Sequence, residues 1–372
     1  MRPAHTRGTA PANATQTPPH KLTQRQYVRF AFYSVAQAWY RLAQETQYQH
    51  KIELQQVIVQ FNRLMLLRPY TLVGSRADTD FLLWQIAESP EPFQALATAI
   101  RNSAMGGYLT LHHSYLSQTK RSIYEIRGSD EQPEERLVID PSEARYLFVY
   151  PFTKTRAWYQ LSPQARQGMM DEHITIGKKY PSIRLNTTYS YGIDDYEFVV
   201  AFETDEPADF LDLVQELRES TASLYTLLDT PLYTCTNLPL DAVLDTLGGP
   251  AIAQPQSATN IMLDWVDVAP IHEFMQTPIK TTYYAGKMIA VFNINNQFYA
   301  INNRCSHARG PLSEGVVNAE ECSVVCPWHY GKFDLRTGQA IDGVVKKSVD
   351  TYEVRIHHDI VQIRNTRIEA SK

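Results

Sequence analysis

Ala157-Trp158-Tyr159-Gln160-Leu161 repeats, with a single change, a run already present as Ala38-Trp39-Tyr40-Arg41-Leu42. The two runs occupy the same place in two longer patterns. Each follows an apolar stretch, Val28-Arg-Phe-Ala-Phe-Tyr33 in the first and Tyr146-Leu-Phe-Val-Tyr150 in the second. Further on, Tyr70-Thr-Leu-Val-Gly74 is matched by Tyr189-Ser-Tyr-Gly192, and Phe81-Leu-Leu-Trp-Gln85 by Phe198-Val-Val-Ala-Phe202. A proline (Pro90, Pro207) then precedes an amphipathic helix in both. Its apolar positions are Phe93, Leu96, Ala97 and Ile100 in one copy, and Phe210, Leu213, Val214 and Leu217 in the other. Each half therefore reads as strand, helix, two strands, helix, strand, the split βαβ arrangement of ferredoxin-like domains. Residues 22–247 are expected to form a duplicated α+β domain, with repeats at about 22–140 and 141–247.

Outside the repeats the composition changes. Residues 1–21 are rich in Pro, Thr and Ala and lack both an apolar core and an amphipathic helix, so a disordered tail is expected. The stretch 248–261, opening Gly248-Gly249-Pro250, is uncharged and rich in turn formers, and reads as a linker. In 262–372, short apolar runs such as Met288-Ile-Ala-Val-Phe292 and Phe298-Tyr-Ala-Ile301 are punctuated by Asn-Asn and Gly. Thr351–Ile356 and Ile360–Ile363 flank His357-His358-Asp359 as a hairpin would, so this part is expected to be a small all-β module.

A chain of 372 residues, 44% hydrophobic and 20% charged, has the composition of a globular protein of about two domains. Its net charge of −5 provides no general basic field for nucleic acid. No apolar run is long enough to cross a bilayer. Four cysteines, two of them in metal-binding context, make no disulfide framework, and a cytoplasmic location is expected.

Cys305-Ser-His307 and Cys326-Pro-Trp-His329 place one thiolate and one imidazole on each of two loops, which is metal-ligand chemistry in a cysteine-poor chain. Spacing alone leaves a zinc site open, although zinc pairs usually group like ligands. The flanks, Cys305-Ser-His-Ala-Arg-Gly-Pro-Leu-Ser-Glu-Gly315 and Cys326-Pro-Trp-His-Tyr-Gly-Lys-Phe-Asp-Leu-Arg-Thr-Gly338, closely resemble the cluster loops of Rieske ferredoxins. That resemblance implies a [2Fe-2S] cluster with Cys305 and Cys326 on one iron and His307 and His329 on the other. High-potential members of that family carry an extra cysteine in each loop and Ser and Tyr hydroxyls at the sulfurs. Here those positions are Gly310, Trp328, Gly331 and Phe333, which implies a low-potential centre. Cys322 is expected to be strand packing, and Cys235 has no visible chemistry.

The second repeat contains a helix with Ser162 as N-cap, Pro163 in the first turn and Gly177 at its end. Ala165, Met169, His173 and Ile176 share one face, and the first repeat has Leu54 or a neighbour at the place of His173. Such a histidine is either a satisfied core residue or a ligand, and its presence in one copy alone speaks for chemistry. Tyr150-Pro-Phe-Thr-Lys154, Trp158-Tyr159, Glu172-His173 and Asn186-Thr-Thr-Tyr-Ser-Tyr-Gly-Ile-Asp-Asp195 resemble the chlorite dismutase superfamily, which includes the coproheme decarboxylases. The resemblance covers about 22–240. It implies that His173 is the proximal ligand of haem b or coproheme, and that Leu185, seven residues before Gly192, lies in the distal pocket.

Chlorite dismutases have arginine at that distal position, where it supplies a fixed positive charge; leucine does not. Arg184 would face the other way on a strand, so chlorite decomposition is disfavoured. The decarboxylases use the tyrosine of the Y-P-x-S/T-K segment as the radical site, which implies catalytic roles for Tyr150 and for Lys154 beside a propionate. The bland alternative makes Tyr150 a core aromatic like Phe148. Asp194 and Asp195 are expected to be structural.

The expected function is a haem-dependent oxidoreductase, a peroxide-dependent enzyme like coproheme decarboxylase, carrying a Rieske electron-transfer domain. Two other readings stand beside it. One is a haem redox enzyme acting on dioxygen, peroxide or a nitrogen oxide, fed through the cluster by a ferredoxin reductase or other donor. The other is a Rieske electron carrier whose haem-free duplicated domain serves assembly. Expected partners are a porphyrin or small-molecule substrate and, by resemblance, further copies of the chain, with neither nucleic acid nor membrane.

Overall fold

The structure, a computed structural model, describes residues 25–124, 138–253, 265–284, 287–342 and 344–365. The expected tail lies outside the described residues, as do residues 254–261 of the expected linker.

The first repeat runs β1 (Tyr27–Val35), α1 (Gln44–Gln60), β2 (Leu66–Thr71), β3 (Phe81–Ala87), α2 (Glu91–Asn102) and β4 (Leu109–Gln118). The second runs β5 (Tyr146–Lys154), a short α3 (Arg156–Gln160), α4 (Pro163–Gly177), β6 (Arg184–Tyr189), β7 (Phe198–Thr204), α5 (Pro207–Glu219), β8 (Thr226–Leu228) and β9 (Tyr233–Asn237), then α6 (Leu240–Thr246). The strands form one sheet in the order β7-β6-β4-β1-β3-β2-β9-β5-β8, and β7 also pairs with β5. That last pairing closes a barrel and leaves only β8 outside the ring. The halves are joined at two seams, β4 to β6 through Gln118 and Tyr189, and β2 to β9 through Tyr70 and Asn237. The ferredoxin-like duplication is the observed fold.

Alternation along the strands divides the side chains between the barrel interior and the helix-covered outside. Inside, Phe32 stacks on Tyr233 at 4.1 Å between ring centroids and Phe30 on Trp84 at 5.2 Å. Outside the first half, α1 and α2 bury Leu54, Ile58, Phe93 and Leu96 against the sheet. α6 returns to this side and adds Val243 and Leu244. Fully buried Lys51 donates to Asp245 at 3.1 Å and to the Pro250 carbonyl at 3.0 Å. The expected linker therefore begins as packed chain. Gly248 and Gly249 turn with φ of 79° and 77°, and Ile252 is buried. The charges that tie this stretch down lie outside it: Lys51 donates to the Pro250 carbonyl, and the Ile252 and Ala253 N–H groups donate to the Asp245 carboxylate.

Outside the second half the cover is thinner. Its buried cluster consists of Phe148, Phe202, Phe210 and Leu213, and α4 contributes no buried residue.

The C-terminal part is all-β apart from α7 (Ile271–Gln276). One sheet is formed by β10 (Val266–Pro270), β11 (Ile279–Tyr284), β12 (Lys287–Ile294), β13 (Gln297–Asn302), β18 (Thr351–His357) and β19 (Ile360–Asn365), in the order β10-β19-β18-β13-β12-β11. The other is β14 (Val316–Asn318), β15 (Ser323–Val325), β16 (Lys332–Asp334) and β17 (Ala340–Asp342) in sequential order. The hairpins turn at Asn295-Asn296 and at His358-Asp359, both residues of each pair having positive φ, the two-residue turn that matches strand twist. Tyr283 of β11 packs into the barrel's interior cluster. Among the described residues no helix is long and apolar enough to cross a membrane.

Candidate functional site

Two loops at one end of the β module carry Cys305 and His307, and Cys326 and His329. They share one backbone frame. The Cys305 N–H donates to the Gly310 carbonyl at 2.9 Å, and the Arg309 N–H returns to the Cys305 carbonyl at 2.9 Å. In the second loop Cys326 donates to Gly331 at 2.8 Å and Tyr330 returns to Cys326 at 3.1 Å. Arg309 and Tyr330 both take the left-handed conformation, with φ of 62° and 60°. This folds each loop back on its cysteine and aims backbone N–H groups inward. Those of His307 and Ala308 reach the Cys305 sulfur, and those of Trp328 and His329 reach the Cys326 sulfur.

The like ligands meet. The two buried thiols lie within hydrogen-bond reach; the Cys305 thiol holds Cys326 toward the thiolate, at about 6, and Cys305 is pushed up in turn. The His307 and His329 rings stand edge to face with centroids 4.8 Å apart. Among the described residues no three His, Cys, Asp or Glu side chains converge as on a single ion. Sulfur with sulfur and imidazole with imidazole is the division a two-iron centre of mixed ligation requires. A Cβ on Gly310 would come 2.8 Å from the Cys326 sulfur and 3.0 Å from the Trp328 ring, so the two positions named for a disulfide are in contact as glycine and indole. Phe333 is fully buried beside both cysteines, and Cys322 packs in the same cluster.

The second cluster of chemistry is on the helix side of the barrel's second half. β6 and β7 pair Leu185 with Phe202, and β5 and β7 pair Phe148 with Phe202 and Tyr150 with Val200. Leu185, Tyr150 and Phe148 therefore share the sheet face that α4 and α5 cover. Arg184 lies on the opposite face, its Nε 3.9 Å from buried Glu203. Leu185 itself is 49% exposed, and Tyr150 stacks with Phe202 at 6.0 Å. Burial raises the Tyr150 phenol above its ordinary value, and Asp229 adds to that.

α4 starts where Ser162 accepts from the Ala165 N–H at 3.2 Å. Gly177 is its last residue and makes no left-handed stop; the helix ends at right-handed Lys178. Glu172 docks the helix by accepting from the Thr221 N–H at 3.1 Å. His173 faces the sheet with Nδ1 buried and without a hydrogen-bond partner among the described residues. Burial, and then the Lys154 charge, hold its imidazole neutral, at about 4. Lys154 is also buried and is lowered to about 8 by desolvation. Its ammonium donates to the Ala222 carbonyl at 2.8 Å and lies over the Trp158 ring at 4.7 Å.

Sequence reasoning passed over Glu197 and the role of Trp158. Glu197 accepts from the Lys154 N–H at 2.8 Å and from the Tyr159 hydroxyl, fixing the end of β5. Trp158, which the repeat and the resemblance both marked without a role, lies under the Lys154 ammonium. Asp194 accepts from the Leu116 N–H at 2.8 Å across the β4–β6 seam, a structural bond.

A neutral, buried imidazole nitrogen lacking a partner, on a helix that leaves its sheet face incompletely covered, fits an axial ligand to a flat iron porphyrin. A family model for chlorite dismutase matches residues 47–238, more than half of the chain, and one for the Rieske [2Fe-2S] domain matches 264–353. The coproheme decarboxylase of Mycolicibacterium smegmatis is 27% identical over 186 residues, which are 48% of this chain and 75% of that protein. The coproheme decarboxylase of Staphylococcus carnosus is 34% identical over 166 residues, 41% of this chain and 66% of that protein. Among solved structures, chlorite dismutase from Candidatus Nitrospira defluvii in complex with imidazole superposes with a TM-score of 0.55 at 24% identity, over 60% of this chain and 94% of that one. A haem-binding protein from Thermus thermophilus gives 0.53 at 22%, over 60% and 94%. At such identities the likeness is one of fold.

Proposed function

The chain belongs to the chlorite dismutase family and carries a Rieske domain, which implies a [2Fe-2S] cluster, and we propose that it is a peroxide-dependent coproheme decarboxylase fitted with its own electron-transfer centre. The single observation that carries the haem half is His173: half-buried, neutral, and with a buried nitrogen that has no partner among the described residues, at the position where the first repeat has fully buried Leu54.

In this reading His173 holds the iron, and the iron porphyrin supplies peroxide activation when bound. Tyr150, a phenol kept protonated by burial, is the residue that gives up an electron and a proton and then acts on a propionate. Lys154 attracts that propionate, and Trp158 and the Ala222 carbonyl set where its ammonium stands. Leu185 offers no charge or hydrogen bond to a bound oxyanion, so chlorite decomposition is not the reaction we favour. Cys305, His307, Cys326 and His329 hold the cluster. With glycine, tryptophan and phenylalanine where other Rieske centres have disulfide and hydroxyl groups, its potential lies toward the lower end of the Rieske range, about −150 mV. Exposed Leu211, Leu224 and Leu227, each more than 60% accessible on the second half, suit a contact with further copies of the chain.

Peroxide alone drives the decarboxylation, so the cluster favours a second reading, a haem redox enzyme acting on dioxygen, peroxide or a nitrogen oxide and reduced through the Rieske domain by a ferredoxin reductase or similar donor. One titration separates them: cluster-loaded protein with iron coproporphyrin and then peroxide, followed by optical spectra and product mass. Stoichiometric binding with loss of carbon dioxide, abolished in Tyr150→Phe, supports the decarboxylase. Binding without mass loss supports the second reading. No binding leaves a cluster protein with an assembly domain.

A further inference from the structure

Asp140 belongs to the barrel and Arg309 to the first cluster loop, 169 residues away, yet they are bonded. The Arg309 Nη1 donates to the Asp140 carboxylate at 2.7 Å and to its backbone carbonyl at 3.1 Å. The segment presenting Asp140 is fixed to the barrel from both sides. The Ile139 N–H donates to Gln26 at 2.6 Å, the Ser142 N–H to Glu203 at 2.7 Å, and Arg68 grips Glu143 with two bonds of 2.9 and 3.2 Å.

The charges of the cluster loop gather at this point. Arg304, the residue before Cys305, has its Nε buried without a partner among the described residues and is in electrostatic reach of Asp140, Arg309 and Glu314. Arg184, at the start of β6, feels Arg309, Asp140 and Arg304. The next residue is Leu185, on the haem-side face. The first cluster loop is thus bonded to the barrel at Asp140, with Arg184 of β6 within electrostatic reach.

Tyr283, half-buried and packed against the barrel's interior cluster, supplies apolar contact between the modules. The Arg309–Asp140 pair is partly exposed, with side chains 50% and 24% accessible, and a pair in that setting adds little to stability. Its consequence is the position of the loop and the field at the cluster.

We propose that Asp140 is the barrel's positioning residue for the cluster: it latches Arg309, holds the first cluster loop to the barrel, and sets part of the reduction potential. This rests on the reading of Cys305, His307, Cys326 and His329 as cluster ligands. Reduction adds one negative charge to the cluster, so Asp140 opposes it and Arg309 favours it.

The test is a potentiometric titration of the full-length, cluster-loaded chain, read by electron paramagnetic resonance without porphyrin, with iron and sulfide content measured first. Asp140→Asn should raise the midpoint potential, Arg309→Gln should lower it, the double variant should fall close to the wild type, and Asp140→Glu should preserve it. A wild-type potential in both single variants would overturn the proposal. A wild-type chain that holds no iron and sulfide would instead overturn the ligand reading beneath it, and that shows before any potential is measured.

Discussion

Leu54 and His173 stand at the same spacing from the repeated tryptophans, Trp39 and Trp158, on equivalent helices of one barrel. Leu54 is fully buried in a filled core, whereas His173 sits on a helix with no fully buried residue and has a nitrogen without a partner among the described residues. One copy of the duplicated unit is closed by apolar packing, and the other has a buried polar atom without a partner among the described residues at the same place.

His173→Leu copies the first half into the second. It removes a buried unsatisfied polar group and adds apolar surface, so the porphyrin-free variant should be as stable as the wild type or about 1 kcal/mol more so. It should also lose stoichiometric binding of iron coproporphyrin. Urea unfolding and an optical titration check both halves of the statement. Loss of stability together with retained binding would mean that His173 is a core residue.

Gly310→Ala tests the cluster frame. The added Cβ would meet the Cys326 sulfur at 2.8 Å and the Trp328 ring at 3.0 Å. Iron and acid-labile sulfide per chain should fall severalfold while the barrel's circular dichroism stays unchanged. Full cluster content would show that Trp328 moves aside.

Lys154 predicts a dependence on pH. Its folded pKa, about 8, lies below its ordinary value of 10.5, because burial disfavours the ammonium. Between those values the unfolded chain binds more protons, so this residue makes stability rise with pH from about 8 to 10.5. Lys154→Met should abolish that rise, remove a desolvation cost on the order of 2 kcal/mol at neutral pH, and weaken binding of a porphyrin bearing propionates. Unfolding at pH 7 and pH 10 measures the first two effects.

Leu185→Arg restores a charge to the sheet face that holds Tyr150. In haem-loaded protein, nitrite or another small oxyanion should bind about tenfold more tightly, the worth of one charge-assisted hydrogen bond of roughly 1.5 kcal/mol. Equal affinity in the two proteins would place Leu185 away from the bound anion.

The duplication made the fold legible, because two copies of one pattern remove the ambiguity of either alone. The Rieske loops were legible because each Cys–His pair is compact in sequence and sits in a turn. Other features left no such mark. Lys154 gives its ammonium to a backbone carbonyl 68 residues away, and backbone acceptors carry no side-chain signature. Arg309 finds Asp140 in another module, a pairing with no period to betray it. α6 shows apolar positions at Val243, Leu244 and Leu247 that helical spacing would have revealed. Its return to the first half's core, where the Trp39 indole donates to the Leu247 carbonyl at 3.1 Å, is a matter of topology alone.

The two seams of the barrel also govern its birth on the ribosome. β2 waits for β9 and β4 waits for β6, so the first repeat emerges with unpaired edges at both ends of its sheet. The β4 edge waits for Tyr189, the partner of Gln118, and the β2 edge waits longer, until the chain has been synthesised as far as Asn237, the partner of Tyr70. During that interval an identical edge on a neighbouring nascent chain is the competing partner, and synthesis of the second repeat sets how long the competition lasts.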